Sequence, residues 1–266
     1  MRRLVLDGVP PADAARLAVE QALPDFPGDA DGRAVPAGGL GTGTDLLAEP
    51  RPAGGPGGRV LALPGAPPDV RGLARATMAL DSGAVRAALD HSLAAYGAIA
   101  TWDDLLAPVL VAVGERWAAT GEGIEVEHLL AETAVAALRA VSIAPEPHNG
   151  RPVLLACAPD DMHSLPLSAL AAALAEQGIG VRILGAGLPA AALAAAIRRT
   201  GPAVVLIWAQ VPRHADPGTL EELPVLRPPV AVLVAGTGWL GRRLPGRVTY
   251  VADLGTAVGI ISRAVG

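Results

Sequence analysis

Between residues 151 and 266 the chain alternates short, uniformly apolar runs with longer stretches of helical character. The apolar runs fall at about 152–157, 180–184, 203–208, 229–235 and 248–251. Helices are expected at about 164–177 and 189–199, within 214–223, near 239–243, and at 254–265. Strands that are apolar on both faces need cover on both faces, and helical crossovers supply it. The alternation therefore predicts a parallel sheet between two helical layers. Five strands in roughly 115 residues suit a flavodoxin-like, doubly wound domain over 151–266.

The preceding stretch, 70–145, has helical periodicity. One helix is expected from about Val70 to Leu80, and Asp81-Ser82 can cap a second that runs to about Tyr96. Thr101 is a good N-cap for a third, with Asp103 and Asp104 where the helix dipole favours anions. The third helix would carry Leu105, Leu106, Val109, Leu110 and Val113 up to Trp117, and Gly121 and Gly123 would end it. A fourth spans about Ile124 to Val141, with Leu129, Leu130, Ala134, Ala137 and Leu138 in helical register. Short connections make this a four-helix bundle. The segment around Pro145, Pro147, His148, Asn149 and Gly150 then links the bundle to the sheet. Residues 24–69 are rich in Gly, Pro, Ala and Asp without a period, and are expected to be a flexible linker. Within it Val60-Leu61-Ala62-Leu63 can dock as a strand before Pro64. Residues 1–23 include an amphipathic helix from about Pro11 to Leu23.

In an open α/β sheet, ligands bind beyond the carboxyl ends of the strands. Asp160-Asp161-Met162-His163-Ser164 follows the first strand directly and lies on that rim. Neutral imidazole is a good ligand for first-row transition metals, cobalt included. Asp161, two residues before His163, can bind the other ring nitrogen, which orients the ring and raises its basicity. The plainer alternative is a surface loop in which Asp161 or Ser164 caps the next helix. Upstream, Trp117 is followed after nine residues by Glu127-His128. Here too a plainer reading stands: Trp117 as core, Glu127 as a surface charge, His128 bonded to a helix carbonyl.

Asp161-x-His163 after the first strand resembles the Asp-x-His-x-x-Gly signature of cobalamin-binding domains. The Trp117-x9-Glu127-His128 spacing is similar to that of light-sensing, B12-dependent regulators of the MerR type, the CarH/LitR-like group. The resemblance covers about 70–266. It implies that His163 is the lower axial ligand of cobalt, with Asp161 behind it. It implies that Trp117, Glu127 and His128 lie near the upper face of adenosylcobalamin, and that Ser164 and Leu165 lie beside the ligand loop. It places Trp208, Ala209 and Gln210, with Gly236 and Gly238, near the cofactor's nucleotide tail. It also implies a sensor that changes assembly state as a homo-oligomer, and not an enzyme. The segment Arg2 to Pro10 with Ala14 to Leu17 is similar to the last helices of a MerR-type winged helix-turn-helix. On that reading the DNA reader itself lies upstream and this chain lacks it. A corrinoid methyl carrier and a degenerate interaction module are the other two readings.

The chain departs from the family pattern at four places. Pro166 stands where the signature has Gly, and Ala209 where a Ser-x-Leu motif has Ser. Ala235-Gly236 replaces a Gly-Gly pair, and Ala118 replaces a His that follows the capping Trp in the best-known members. Pro is compatible with a helix's first turn. Ala209 cannot extend a hydrogen-bond relay from Asp161, and Trp208 or Gln210 is expected to fill that space. Gly236 and Gly238 are expected to leave room for the tail.

Composition narrows the partners. The net charge of −5 argues against a polyanion binder. No uninterrupted apolar run approaches the roughly 20 residues of a membrane span, and no apolar h-region follows Arg2-Arg3. One cysteine, Cys157, excludes an internal disulfide and fits a cytoplasmic protein. Cys157 is expected to be a buried hydrophobe, His91 structural, and His148 and His214 solvated. Gly185-Ala186-Gly187 has no third Gly and does not make a dinucleotide fingerprint.

Overall fold

The computed structural model describes residues 60–142 and 146–266. The helix expected within 1–23 and most of the 24–69 segment lie outside the described residues. Residues 60–67 form no strand, yet Leu61 is buried in the bundle core.

The bundle consists of α1 (Pro68–Met78), α2 (Ser82–Ala100), α3 (Ala107–Thr120) and α4 (Ile124–Val141). Asp81 caps α2 as expected, its side chain accepting from the Ala84 amide. Thr101 caps nothing. It has helical dihedrals at the start of a π-helical stretch, Thr101–Leu106, and its hydroxyl is buried against that of Ser92 at 2.8 Å. The break sits earlier, at Gly97, where φ is 80°. There the carboxylate of Glu176, 78 residues downstream, accepts from the Ala98 amide at 2.8 Å. The cap is tertiary, so local sequence does not disclose it. Glu176→Ala is expected to lower stability by about 1 kcal/mol, the usual worth of an N-cap. Urea denaturation followed by circular dichroism measures it.

The helical run Ser82–Thr120 is long and apolar enough to cross a membrane by length and composition. Counting uninterrupted apolar residues passes over it. One face of it, with Val85, Leu89, Leu106, Val109 and Val113, is buried in the bundle core, while Tyr96 and Val111 are exposed. Gly121 and Gly123, both left-handed, separate α3 from α4.

The second unit is a five-stranded parallel sheet in the order β2-β1-β3-β4-β5. The strands are β1 (Val153–Cys157), β2 (Val181–Gly185), β3 (Val204–Trp208), β4 (Ala231–Ala235) and β5 (Val248–Val251). Its helices are α5 (Leu165–Glu176), α6 (Ala190–Thr200), α7 (Pro217–Glu221) and α8 (Leu254–Val265). Side chains alternate across the sheet with period two. Val153, Leu155, Cys157, Val204 and Leu206 point to one core, and Leu154, Ala156, Val205 and Ile207 to the other. The first core is continuous with that of the bundle, and the second is closed by Leu193 and Ile197 of α6 and Leu220 of α7. The architecture is the flavodoxin-like α/β sheet with a helical cap.

Helix α5 joins the two units. Every residue from Leu167 to Leu174 is buried, because α5 lies between the sheet on one side and α2 and α4 on the other. A helix apolar all round is a buried helix. Its alanines let three layers approach closely. The connection into β1 is pinned by Asn149, whose carbonyl accepts from the Gly180 amide at 2.7 Å and whose NH2 donates to Gly180 and Arg151 carbonyls.

Candidate functional site

In the strand order, β1 lies between β2 and β3, so the loops after β1 and β3 flank the crevice where the winding reverses. The loop after β1 turns at Pro159-Asp160, closed by the Asp161 amide on the Ala158 carbonyl at 3.1 Å. Asp160 has φ 62°, a conformation Asp adopts more readily than most residues. The turn directs Asp161 inward, where it is fully buried.

Both oxygens of Asp161 are occupied. Oδ1 accepts from the His163 amide at 3.0 Å and meets His163 Nδ1 at 2.9 Å. Oδ2 accepts from the Gln210 amide at 2.7 Å and the Val211 amide at 3.2 Å. The carboxylate thus ties the loop after β1 to the loop after β3. Burial alone would raise its pKa. The hydrogen bonds from the His163 side chain and amide, the His163 charge and the Gln210 amide outweigh burial and hold it down to about 2. Asp161 is therefore an anion at any physiological pH.

Helix α5 has no side-chain cap. Asp161 and Ser164 are not capping residues, and that plainer reading of the loop is overturned. Pro166 sits in the first turn of α5, as its chemistry allows. Ser164 and Leu165 are half-buried where α5 begins. The His163 side chain is one-third exposed, and its Nδ1 is held by Asp161. Nε2 is the ring nitrogen left to face a ligand. Among the described residues no group of three or more His, Cys, Asp or Glu is placed to hold a metal ion. A single imidazole does not retain a bare cation, so a metal here must bring most of its own ligands.

On the β3 side, Ala209 is buried, its amide bonded to Ala235 and its carbonyl to the Gly238 amide. Gln210 acts through its backbone, the amide on Asp161 and the carbonyl accepting from the Thr237 hydroxyl at 2.8 Å. Trp208 is half-buried at the end of β3, with its indole N–H buried and unpaired. Gly236 and Gly238 have a reason in the chain itself. A Cβ at Gly236 would lie 2.3 Å from the Ala209 carbonyl oxygen, and one at Gly238 2.8 Å from the Ala209 and Val211 carbonyls. Backbone carbonyls thus occupy the Cβ side of both glycines.

In the bundle, Trp117 is buried near the end of α3 with an unpaired indole N–H. It is buried without being part of the main apolar cluster. Glu127 is half-buried and His128 exposed in the first turn of α4, with 3.9 Å between their side chains. No hydrogen bond or ion pair joins Trp117, Glu127 or His128 to the Asp161–His163 loop. Packing of α2 and α4 on α5, which starts two residues after His163, is what connects the two groups.

Sequence reasoning missed His214. Placed among solvated residues, it is in fact mostly buried, with Nδ1 3.5 Å from Asp161 Oδ2. The short helical turn Pro212–His214 carries it back over the carboxylate. The available signal was its place just after β3, on the same rim as His163. His148 is exposed. Cys157 is fully buried, and burial, with the nearby Asp161 charge, pushes its thiol up to about 12, leaving it inert.

Comparison with known proteins gives the site its context. Two family models match, each described as a B12 binding domain, one over residues 70–142 and one over 151–238. The HTH-type transcriptional repressor CarH of Myxococcus xanthus is 36% identical over 110 residues, covering 41% of this chain and 37% of that protein. The chain thus matches little over a third of that relative's length. The monomethylamine corrinoid protein of Methanosarcina barkeri superposes with a TM-score of 0.54 at 13% identity, covering 72% of this chain and 95% of that one. That likeness shows the fold. The methanol:cobalamin methyltransferase complex MtaBC of the same organism covers 75% of this chain and 81% of its own at 16% identity, with a TM-score of only 0.36. The helical unit and the α/β unit are B12-binding domains, and together they make a CarH-like cobalamin-binding region.

Proposed function

We propose that this region is the sensor part of a light- or B12-responsive transcription regulator, with adenosylcobalamin as its ligand and His163 on the lower face of cobalt. The observation that carries the ligand assignment is the buried Asp161, which fixes Nδ1 of a part-exposed His163 on the carboxyl rim and leaves Nε2 for a metal. The CarH likeness favours a regulator over a carrier. A corrin supplies four equatorial nitrogens, which fits a pocket with one protein ligand. When bound, adenosylcobalamin supplies a light-cleavable cobalt–carbon bond.

The chain's own residues do the rest. Asp161 holds the His163 ring in one tautomer. Ser164 and Leu165 border the ligand loop, and Trp208, Ala209, Gln210, Gly236 and Gly238 wall the lower side. Trp117, with its unpaired indole N–H, shields the upper side together with Glu127 and His128. Ala118 provides no imidazole beside Trp117. The protein turns over no substrate. It acts in the cytoplasm as a homo-oligomer whose assembly changes when the helical unit shifts on the sheet. DNA contact belongs to a helix-turn-helix outside these residues.

Adenosylcobalamin-loaded protein is expected to change absorption and elution volume after green light, compared with a dark sample. Trp117→Ala should weaken adenosylcobalamin more than a corrinoid with a small upper ligand. Identical spectra and elution before and after light would replace the photoreceptor reading with a corrinoid methyl carrier. No corrinoid uptake at all would leave a degenerate interaction module.

A further inference from the structure

Asp161 is faced by two imidazoles. His163 occupies Oδ1, and His214 Nδ1 lies 3.5 Å from Oδ2. The His214 side chain is only 11% exposed, and its Nδ1 is buried with no hydrogen-bond partner. Its other nitrogen, Nε2, accepts from the Arg213 guanidinium at 2.9 Å. A guanidinium only donates. The bond to Arg213 therefore assigns the lone pair to Nε2 and the ring proton to Nδ1. That proton lies on the side of the ring nearest Oδ2. An unpaired buried N–H beside a buried carboxylate is a contact poised to close by a few tenths of an ångström.

We infer that His214 is a positioning residue that completes a His163–Asp161–His214 relay, sharing the Asp161 carboxylate and setting how firmly it holds the His163 ring toward a corrinoid cobalt. The inference rests on His163 being the cobalt ligand. It accounts for Ala209, which has no side-chain donor to offer at the end of β3. The imidazole five residues further on supplies one instead, from the turn Pro212–His214. The two amides on Oδ2 come from backbone and are the same whatever the side chains are. Among the described residues His214 is the one side chain that meets Oδ2, and so the one by which sequence can tune that oxygen.

The geometry separates substitutions that keep the relay from those that break it. An Asn amide nitrogen can occupy the place of the imidazole Nδ1, whereas a Gln amide reaches to the place of Nε2. His214→Asn keeps a donor toward Oδ2. His214→Gln and His214→Leu do not, though they fill similar space.

The test loads wild-type protein and each variant with methylcobalamin in the dark. It reads the fraction with imidazole on cobalt by visible absorption, and the affinity by titration. His214→Leu and His214→Gln are expected to lower the imidazole-bound fraction and weaken binding about tenfold, the low end for an outer partner of a metal ligand. His214→Asn should restore both to within about twofold of wild type. Circular dichroism melts guard against unfolding. Equal bound fractions in wild type and all three variants, or Leu, Gln and Asn variants weakened alike, overturn the relay and leave His214 as packing. If His163→Ala leaves the wild-type spectrum intact, the ligand assignment has failed instead. The two failures are therefore distinguishable.

Discussion

His163→Ala is expected to remove the imidazole-bound cobalt spectrum and to weaken corrinoid binding by more than the roughly 10–100-fold typical of losing an outer partner. His163 is the direct contact in this reading, and Asp161 spends half of its hydrogen-bonding capacity on orienting it. The ring is one-third exposed, so its truncation leaves the cores untouched. The backbone amide of residue 163 still donates to Oδ1, and the Gln210 and Val211 amides still donate to Oδ2. The variant should therefore fold. Added imidazole should enter the space left by the ring and restore part of the spectrum. Titration with hydroxo- and methylcobalamin checks the affinity. An unchanged spectrum in the variant would end the assignment of His163 to cobalt.

Asp161→Asn is expected to produce the largest loss of fold stability among the site substitutions. The carboxylate is fully buried and its pKa falls from 3.8 to about 2. A folded-state pKa below the unfolded value stabilises the protein above the unfolded value. That stabilisation is lost as pH falls from about 4 toward 2. The gap is worth about 2 kcal/mol at neutral pH. An amide at this position cannot accept on both sides, so its NH2 must face either His163 or the amides of Gln210 and Val211. Paired urea denaturations at pH 7 and pH 3 test this. Wild type and variant should differ by about 2 kcal/mol at pH 7, and the gap should narrow to about half of that at pH 3. A gap of equal size at both pH values would mean that the charge of Asp161 contributes nothing. Corrinoid affinity of the same variant should fall by about 10–100-fold, through loss of His163 orientation.

Both effects have one structural origin. A single buried carboxylate joins two loops that lie 49 residues apart, and it does so at the crevice where a doubly wound sheet binds ligands. Ligand orientation and loop closure are consequently coupled. A change that frees the β3 loop is felt at His163.

Much of this was legible in the residues. The five strands and four of the five expected helices followed from apolar runs and periodicity, because burial on one or both faces imprints a local pattern; near 239–243 the chain makes only a short helical turn, Thr237–Trp239. Helix α4 runs over Ile124–Val141, as its spacing indicated, since glycines bound it on one side and its apolar stripe is unbroken. Asp161 and His163 could be placed on the rim because strand, loop and helix are consecutive in the chain. Tertiary structure alone decided what the loop residues do. Whether Asp161 caps α5 or binds His163 depends on a second loop that supplies the Gln210 and Val211 amides. Thr101 looked like a cap by its neighbours, but Glu176 of a different layer caps the break at Gly97 instead. Gly236 and Gly238 are required by carbonyls of Ala209 and Val211, and His214 turns back over Asp161 from a segment that reads as solvent-exposed. Local sequence records which face of an element is buried. It does not record which distant donor arrives at a buried acceptor, because that pairing exists only once the sheet has brought the ends of β1 and β3 side by side.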